Sequence, residues 1–538
     1  MMQDTGMDPE MLSMVLGTID KLERDRLSLE TKLELDRKGD FPMDLIRFML
    51  GPDVALHLIF IPEEYGGLGA GAREVALISE RMAKMDLALA TSFLSICLGM
   101  DPLRVGATSE QKEKYIGRIA EEGLIVAYGV TEPEAGSNVQ ALKTRAERIF
   151  DEDGNIKGYK INGQKQFITN GGVADLYTIL ADTPSGPSFF VIEGGTDGLM
   201  PGKHEDKHGI RASDTCPITL EDVYVPVENL LGGVEGRGLK ESNQVFGYTR
   251  LMVATLGLGG GMAALEKTIA YSKIRVQFGS PLAEKQGYTH RLLVPNAVRL
   301  EAARAYIEEV AHRLDAGEED LQVEGSIAKY FTTEAADAMA NDAIQGFGGY
   351  GYMREYEVEK IKRDTKITTI YEGTSEIQRN IISIFRMRET VRSKGKYYED
   401  MAGELDGLPD DSAAPLLASA IKAINETILS ARKFKLTRSQ HVMFLLADMM
   451  AWAEVGKALC RKSAVSDVKI NGPEFIKAVA RLFAGEVLEK VYTNGIKIAK
   501  GCGHDLSELA DTLSSLNLKN ATSGYLKDMD LVASELVK

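Results

Sequence analysis

The sequence predicts a mostly α-helical protein with a β-domain in its middle. Apolar residues recur at helical spacing up to about Leu124. Short β-rich runs punctuated by Gly, Pro, Asn and Asp then occupy about Ile125 to Leu239. Helical spacing returns for the remainder. The order implies an N-terminal helical domain (1–124), a middle β-domain (125–239), a helical bundle (240–388) and a C-terminal helical extension (389–538). Strand and helix do not alternate, which argues against a doubly wound nucleotide-binding fold.

Each region has its own markers. In Ala72–Met85, Val75, Leu77, Ile78 and Met82 keep helical spacing, while Pro62–Gly69 breaks the pattern as a loop. Leu176–Leu180, Ser188–Ile192 and Ile218–Val225 read as antiparallel strands of a small barrel or sandwich. Arg250–Val276 and Gly325–Ile344 read as long helices. In the extension, loop signals fall at Leu408–Asp411, Asn471–Pro473 and Gly501–Gly503. Leu445, Met449, Trp452 and Val455 recur there at the spacing of a buried helix face.

With 538 residues the chain is too long for one ordinary core. Its 63 basic and 79 acidic residues give a net charge of −16, which opposes general nucleic-acid binding. Cys97, Cys216, Cys460 and Cys502 are scattered without a CxxC pair, and only His504 lies near a cysteine. Neither a disulfide framework nor a metal site is expected. The first twenty residues do not resemble a leader, and Val442–Leu459 is interrupted by Asp448, Glu454 and Lys457. No apolar run is expected to reach the length of a membrane span, and the expected location is the cytoplasm.

Gly346-Phe-Gly-Gly-Tyr-Gly351 matches the GxGxxG pattern of dinucleotide-binding folds. That pattern works between a strand and a helix, whereas Glu334–Ile344 reads as an Ala-rich helix, so the match is a decoy as a dinucleotide fingerprint, while a backbone loop approaching a phosphate stays open.

Four other stretches carry the functional signal. They are Tyr128-Gly-Val-Thr-Glu-Pro-Glu-Ala-Gly-Ser137, Gly163-Gln-Lys-Gln-Phe-Ile-Thr-Asn-Gly171, Arg275-Val-Gln-Phe-Gly-Ser-Pro-Leu282 and Tyr371-Glu-Gly-Thr-Ser-Glu-Ile-Gln-Arg379. Ile61–Gly67, Gly209–Thr215 and Gln345–Gly349 support them. In this order, over roughly the first 390 residues, the set resembles the acyl-CoA dehydrogenase family. The extension resembles the extra helical domain of very-long-chain acyl-CoA dehydrogenases.

The resemblance implies FAD as cofactor, an acyl-CoA thioester as substrate and electron-transfer flavoprotein as acceptor. Tyr128, Val130, Thr131, Gly136 and Ser137 would line the flavin, and Ser137 would also touch the acyl-CoA. Glu134 and Asn138 depart from the family's commoner Gly and Asp. Phe167 would pack on the flavin and Thr169 would bond near its hydride-accepting nitrogen. The two are expected on one face of a strand, being two residues apart. Arg275, Gln277, Phe278, Gln345, Gly348 and Gly349 would serve the flavin of a neighbouring subunit, and Gln286 would contact the cofactor, with a dimer favoured over a tetramer. Thr374 and Glu376 would complete the cofactor contacts. Phe246, Thr249, Arg250 and Gly373 would contact substrate, whereas Gly247 stands where some relatives carry an Asp.

Glu372 is the implied base. A thioester α-proton is weakly acidic, so its removal needs a carboxylate and an oxyanion-type polarisation of the carbonyl. Some members of the family place the base just before the residue that Arg250 resembles; here that position is Thr249, so Glu372 has no rival there. Glutaryl-CoA members of the family carry an Arg in the region that Leu87–Met100 resembles, which has none here, so the resemblance disfavours a dicarboxylate substrate; Asp101 is expected as a helix C-terminal residue. A flavin oxidase or monooxygenase of the same fold is the competing reading, and a non-enzymatic DNA-associated relative the weaker one.

Overall fold

The first helices are α1 (Pro9–Arg26), α2 (Leu29–Lys38), α3 (Met43–Leu50), α4 (Ala72–Met85), α5 (Leu87–Gly106) and α6 (Ser109–Glu122), and capping side chains start α1, α2, α5 and α6. Asp86 accepts hydrogen bonds from the amides of Ala88 (2.9 Å) and Leu89 (3.1 Å), so α5 starts immediately after α4 ends. Thr108 and Gln111 form a reciprocal capping box at the start of α6. The computed structural model describes residues 6–318, 320–409, 412–465, 472–501, 507–514, 516 and 523–538. They divide into two units, Met1–Gly260 with Ala311–Leu321, and Gly261–Val310 with Gln322–Lys538.

In the first unit, α5 is nearly all apolar and has a mean hydropathy of 1.2 over an 18-residue window. It is therefore long and apolar enough to cross a membrane, which corrects the expectation that no run reaches that length. Of that window 83% is buried inside the protein, where α5 packs on α4 and on the first strand. Asp101 lies within α5, buried and 3.7 Å from Arg104.

The strands are β1 (Val126–Gly129), β2 (Arg145–Phe150), β3 (Ile156–Thr169), β4 (Leu176–Thr183), β5 (Gly186–Glu193), β6 (Leu199–Pro201) and β7 (Thr215–Pro226). Their order is β1-β4-β2-β3-β7-β6, with β5 also on β4. The pairs β2–β3, β3–β7, β4–β5 and β6–β7 are antiparallel as expected. However, β1–β4 and β2–β4 run parallel, so the sheet is mixed. Hairpin turns between neighbouring strands are visible in sequence, whereas β1 and β4 meet across nearly fifty residues.

A long helix, α7 (Gly238–Ile274), follows. It begins well before Arg250, so Phe246, Thr249 and Arg250 lie inside it rather than at its start. After a small hairpin, β8 (Val276–Gln277) and β9 (Ser280–Pro281), come α8 (Gln286–Tyr288), α9 (Val294–Asp315), α10 (Gln322–Phe347), α11 (Glu357–Lys366) and α12 (Ser375–Arg392). The extension adds α13 (Lys396–Leu405), α14 (Ala414–Lys433), α15 (Gln440–Ala464), α16 (Pro473–Gly501), α17 (Ser507–Ser514) and α18 (Tyr525–Leu536).

In the second unit α15 and α16 pack together, and α15 also packs on α12 and α10. Leu445, Met449 and Val455 are buried as their spacing predicts. Trp452 stacks on Phe483 at 5.4 Å and meets the edge of Phe331, from α10, at 5.2 Å. Beside this apolar seam Arg386 of α12 forms a bidentate pair with Glu454 (2.8 and 2.9 Å) and bonds Glu324 (2.8 Å), all buried. Cys97, Cys216 and Cys460 are buried free thiols, while Cys502, His504, Asp411, Asn471 and Gly503 lie outside the described residues.

Candidate active site

In the first unit, β1 runs into the Val130–Ser137 loop. The amide of Gln166 donates to the Thr131 carbonyl (2.9 Å), which sets the loop against the end of β3. Glu132 and Ala135 exchange backbone hydrogen bonds at 3.1 Å, closing a turn around Pro133 and Glu134. The Glu132 side chain turns inward and accepts from Lys165 Nζ (2.7 Å) and the Thr144 amide (3.1 Å). Lys165 also donates to the Val130 carbonyl at 3.3 Å.

Both charged groups are almost completely buried. Burial pulls the Lys165 ammonium down to about 8, against the raising effect of Glu132. For Glu132 burial acts upward, but the Lys165 charge and the hydrogen bonds outweigh it and leave the carboxyl below its ordinary value. This pair was missed by motif reading. Its signal is an adjacent charge in each of two β-region motifs, Thr131-Glu132 and Gln164-Lys165.

Val130 is buried, Tyr128 and Thr131 are half-buried, and Gly136 and Ser137 are exposed. Tyr128 stacks on Phe189 at 5.9 Å. The end of β3 is not a regular strand. Its pairing slips between Lys165 and Ile168, and Phe167 has a left-handed φ of 57°. Simple alternation therefore does not place Phe167 and Thr169; the bulge does. Ile168 is buried, Thr169 is half-buried, and Phe167 is 64% exposed. Asn170 anchors the turn by donating to the Ser92 carbonyl (2.9 Å). On α7, Thr249 and Arg250 are buried and Phe246 is half-buried. A Cβ at Gly247 would meet nothing within 4 Å.

In the second unit, Arg275 follows the last residue of α7, and its guanidinium lies 5.4 Å from the centre of the Tyr350 ring. Phe278 and Gly279 both have positive φ (49° and 81°), the geometry of a tight hairpin turn, in which a glycine at the second place avoids strain. That turn leaves Phe278 98% exposed, with Gln277 exposed beside it. Gln345, Gly348 and Gly349 are also exposed, at the end of α10, where added Cβ atoms at either glycine would meet open space. The GxGxxG run thus follows a helix rather than a strand. Gln286 donates to Asp530 of α18 at 3.1 Å, so the extension holds this residue.

The Tyr371–Thr374 loop enters α12. Thr374 is its N-cap, accepting from the Ile377 amide at 3.4 Å. Glu376 is exposed, 3.6 Å from Arg379. Glu372 stands two residues before the cap, half-buried, with a left-handed φ of 54°. Gly373 follows at φ 93°, where a side chain would be strained and would strike Gln378.

Two buried side chains tie the loop. Gln378 Nε2 donates to the carbonyls of Glu372 (3.2 Å) and Gly373 (2.9 Å), and Lys329 Nζ donates to Gly373 (2.7 Å). These clamps were also missed by motif reading. Lys329 is the single charge in the run Gly325–Thr333, and a lone cation in an apolar helical run signals a buried role. Ser375 adds a third tie by donating to Glu334 at 2.5 Å.

Three family models match the chain. They are described as the acyl-CoA dehydrogenase N-terminal domain (residues 13–123), middle domain (127–223) and C-terminal domain (236–384). A short-chain-specific acyl-CoA dehydrogenase of Megasphaera elsdenii is 38% identical over 357 residues, covering 65% of this chain and 91% of its own. A cyclohex-1-ene-1-carbonyl-CoA dehydrogenase of Geobacter metallireducens is 37% identical over 355 residues, again 65% and 91%. The crystal structure of an acyl-CoA dehydrogenase complexed with FAD from Bacillus anthracis superposes with a TM-score of 0.85 at 25% identity. That likeness covers 100% of this chain and 97% of the other, so it includes the C-terminal extension.

Proposed function

The chain belongs to the acyl-CoA dehydrogenase family, and we propose that Glu372 is the base with which it oxidises the α,β bond of an acyl-CoA thioester. The enzyme is an oxidoreductase acting on CH–CH groups. What carries the assignment of the base is the loop geometry. A half-buried carboxylate in a left-handed backbone is held by ties to two successive carbonyls. Such strain persists only where surrounding structure imposes it, and it is typical of residues that must point in one direction.

The residues present fit FAD. In the first unit, an exposed aromatic at Phe167, the hydroxyls of Thr131, Ser137 and Thr169, and an open backbone at Gly136 suit a flavin ring and its polar edge. In the second, Arg275 offers a planar cation for a pyrophosphate, and Gly348 and Gly349 leave their backbone open to close approach. Bound FAD supplies the two-electron acceptor.

Glu372 takes the α-proton. The β-hydrogen leaves with its electron pair, and the α,β double bond forms, so one hydride, carrying both electrons, leaves the substrate for each proton gained by the carboxylate. The clamps fix the backbone of Glu372 and Gly373 and hence the direction of the carboxylate, which supports the rate through positioning. Electron-transfer flavoprotein is the proposed final acceptor. The proposed assembly is a homodimer in which Arg275, Gln277 and Phe278 reach the partner's flavin.

Glu372→Gln keeps size and polarity but cannot accept the proton. In the FAD-loaded protein it should slow anaerobic flavin bleaching by acyl-CoA by roughly two to four orders of magnitude. It should also stop exchange of the substrate α-hydrogen with deuterated water. A variant that retains FAD and bleaches at the wild-type rate would place the base elsewhere.

A further inference from the structure

We propose that Asp448, on α15 of the C-terminal extension, is a positioning residue for Glu372. This rests on the reading of Glu372 as the base. The clamps on the Glu372 loop come from Lys329 on α10 and Gln378 on α12. The next residue on each helix, Tyr330 and Arg379, lies about 100° further round its helix. Both meet the same oxygen of Asp448. The Tyr330 hydroxyl donates to Oδ1 at 2.7 Å and Arg379 Nε donates to it at 2.8 Å.

Arg379 closes the triangle by donating from Nη2 to the Tyr330 hydroxyl at 2.9 Å, with its guanidinium 4.4 Å over that ring. One carboxylate thus fixes two helices relative to each other, one residue behind each clamp. A shift of either helix would move Lys329 or Gln378 and release a carbonyl of the Glu372–Gly373 pair. The aromatic seam of Trp452, Phe331 and Phe483, one turn further along α15, makes Asp448 a rigid support. The extension therefore contributes to the reaction through the loop.

The test uses the full-length, FAD-loaded enzyme and the acyl-CoA that reduces it fastest from a panel of straight-chain and alicyclic thioesters. Asp448→Asn should lower the limiting rate of anaerobic flavin reduction by about 10- to 100-fold, the scale of a small misplacement of a reacting group. The thioester concentration for half-maximal rate and the FAD content should stay near wild type. Tyr330→Phe should lower the rate in the same direction by less, and it decides the matter if the Asn variant does not fold.

The double variant Glu372→Gln with Asp448→Asn should be no slower than Glu372→Gln alone, because a brace that acts through the base has nothing left to position. A wild-type limiting rate in Asp448→Asn, or losses that multiply in the double variant, would overturn the proposal while leaving Glu372 as the base. A wild-type rate in Glu372→Gln overturns the base itself, so the two failures are distinct.

Discussion

Removing the Lys165 ammonium tests how the Val130–Ser137 loop is held. Lys165→Met keeps length and apolar bulk but leaves Glu132 charged and buried with only amide donors. Breaking a buried pair from one side costs about 3–5 kcal/mol. For domains of about 150–250 residues each kcal/mol lowers the melting temperature by roughly 2–4 °C, so a fall of roughly 6–20 °C is expected at pH 7.

The pH dependence separates this from a packing defect. In the native protein Glu132 sits below its ordinary value, so its contribution is present above the unfolded value of 4.5 and is lost as pH falls through the folded one. Without Lys165 the dominant remaining influence is burial, which raises the carboxyl. Its favourable state is then the protonated one, and the variant's deficit should narrow as pH falls from 7 toward the unfolded value. Thermal unfolding across that range, read by calorimetry and by loss of flavin absorbance, measures both effects. An unchanged melting temperature at pH 7 would refute the reasoning, as would a deficit that does not shrink in acid.

Three further outcomes are expected. Arg275→Ala should weaken FAD retention by about 10- to 150-fold, the equivalent of about 1.5–3 kcal/mol for a hydrogen bond to a charged group. A fully FAD-loaded, active monomer in sizing and scattering measurements would contradict the shared-site reading. Glu454→Ala strands the buried Arg386 beside Glu324 and should cost about 3–5 kcal/mol by denaturant unfolding. Truncation before Asp411 should lower stability or change assembly, and a truncated protein with unchanged melting and unchanged oligomeric state would deny the extension a structural role.

Much of this protein is legible in its sequence because local chemistry decides it. The Pro62–Gly69 loop, the Ala72–Met85 helix and the spacing of Leu445, Met449 and Val455 act over a few residues, where neighbours in sequence are neighbours in space. The motif around Glu372 is likewise continuous, so the candidate base can be named without coordinates. What is not legible is which charge meets which. The partners of Lys329, Lys165, Arg379 and Arg386 lie 44, 33, 69 and 68 residues away. Electrostatic pairing depends on distance through space and on burial, and neither leaves a periodic trace in the chain. The same holds for the parallel β1–β4 contact, for the burial of α5, which length and apolarity alone would also suit to a membrane, and for the bulge that turns Phe167 outward. Spacing and turn residues determined the elements, and the ordered motifs, through the family they resemble, pointed to the candidate chemistry. Only the folded chain decided which side chains hold Glu372 in place, because those contacts exist only once separate helices have packed.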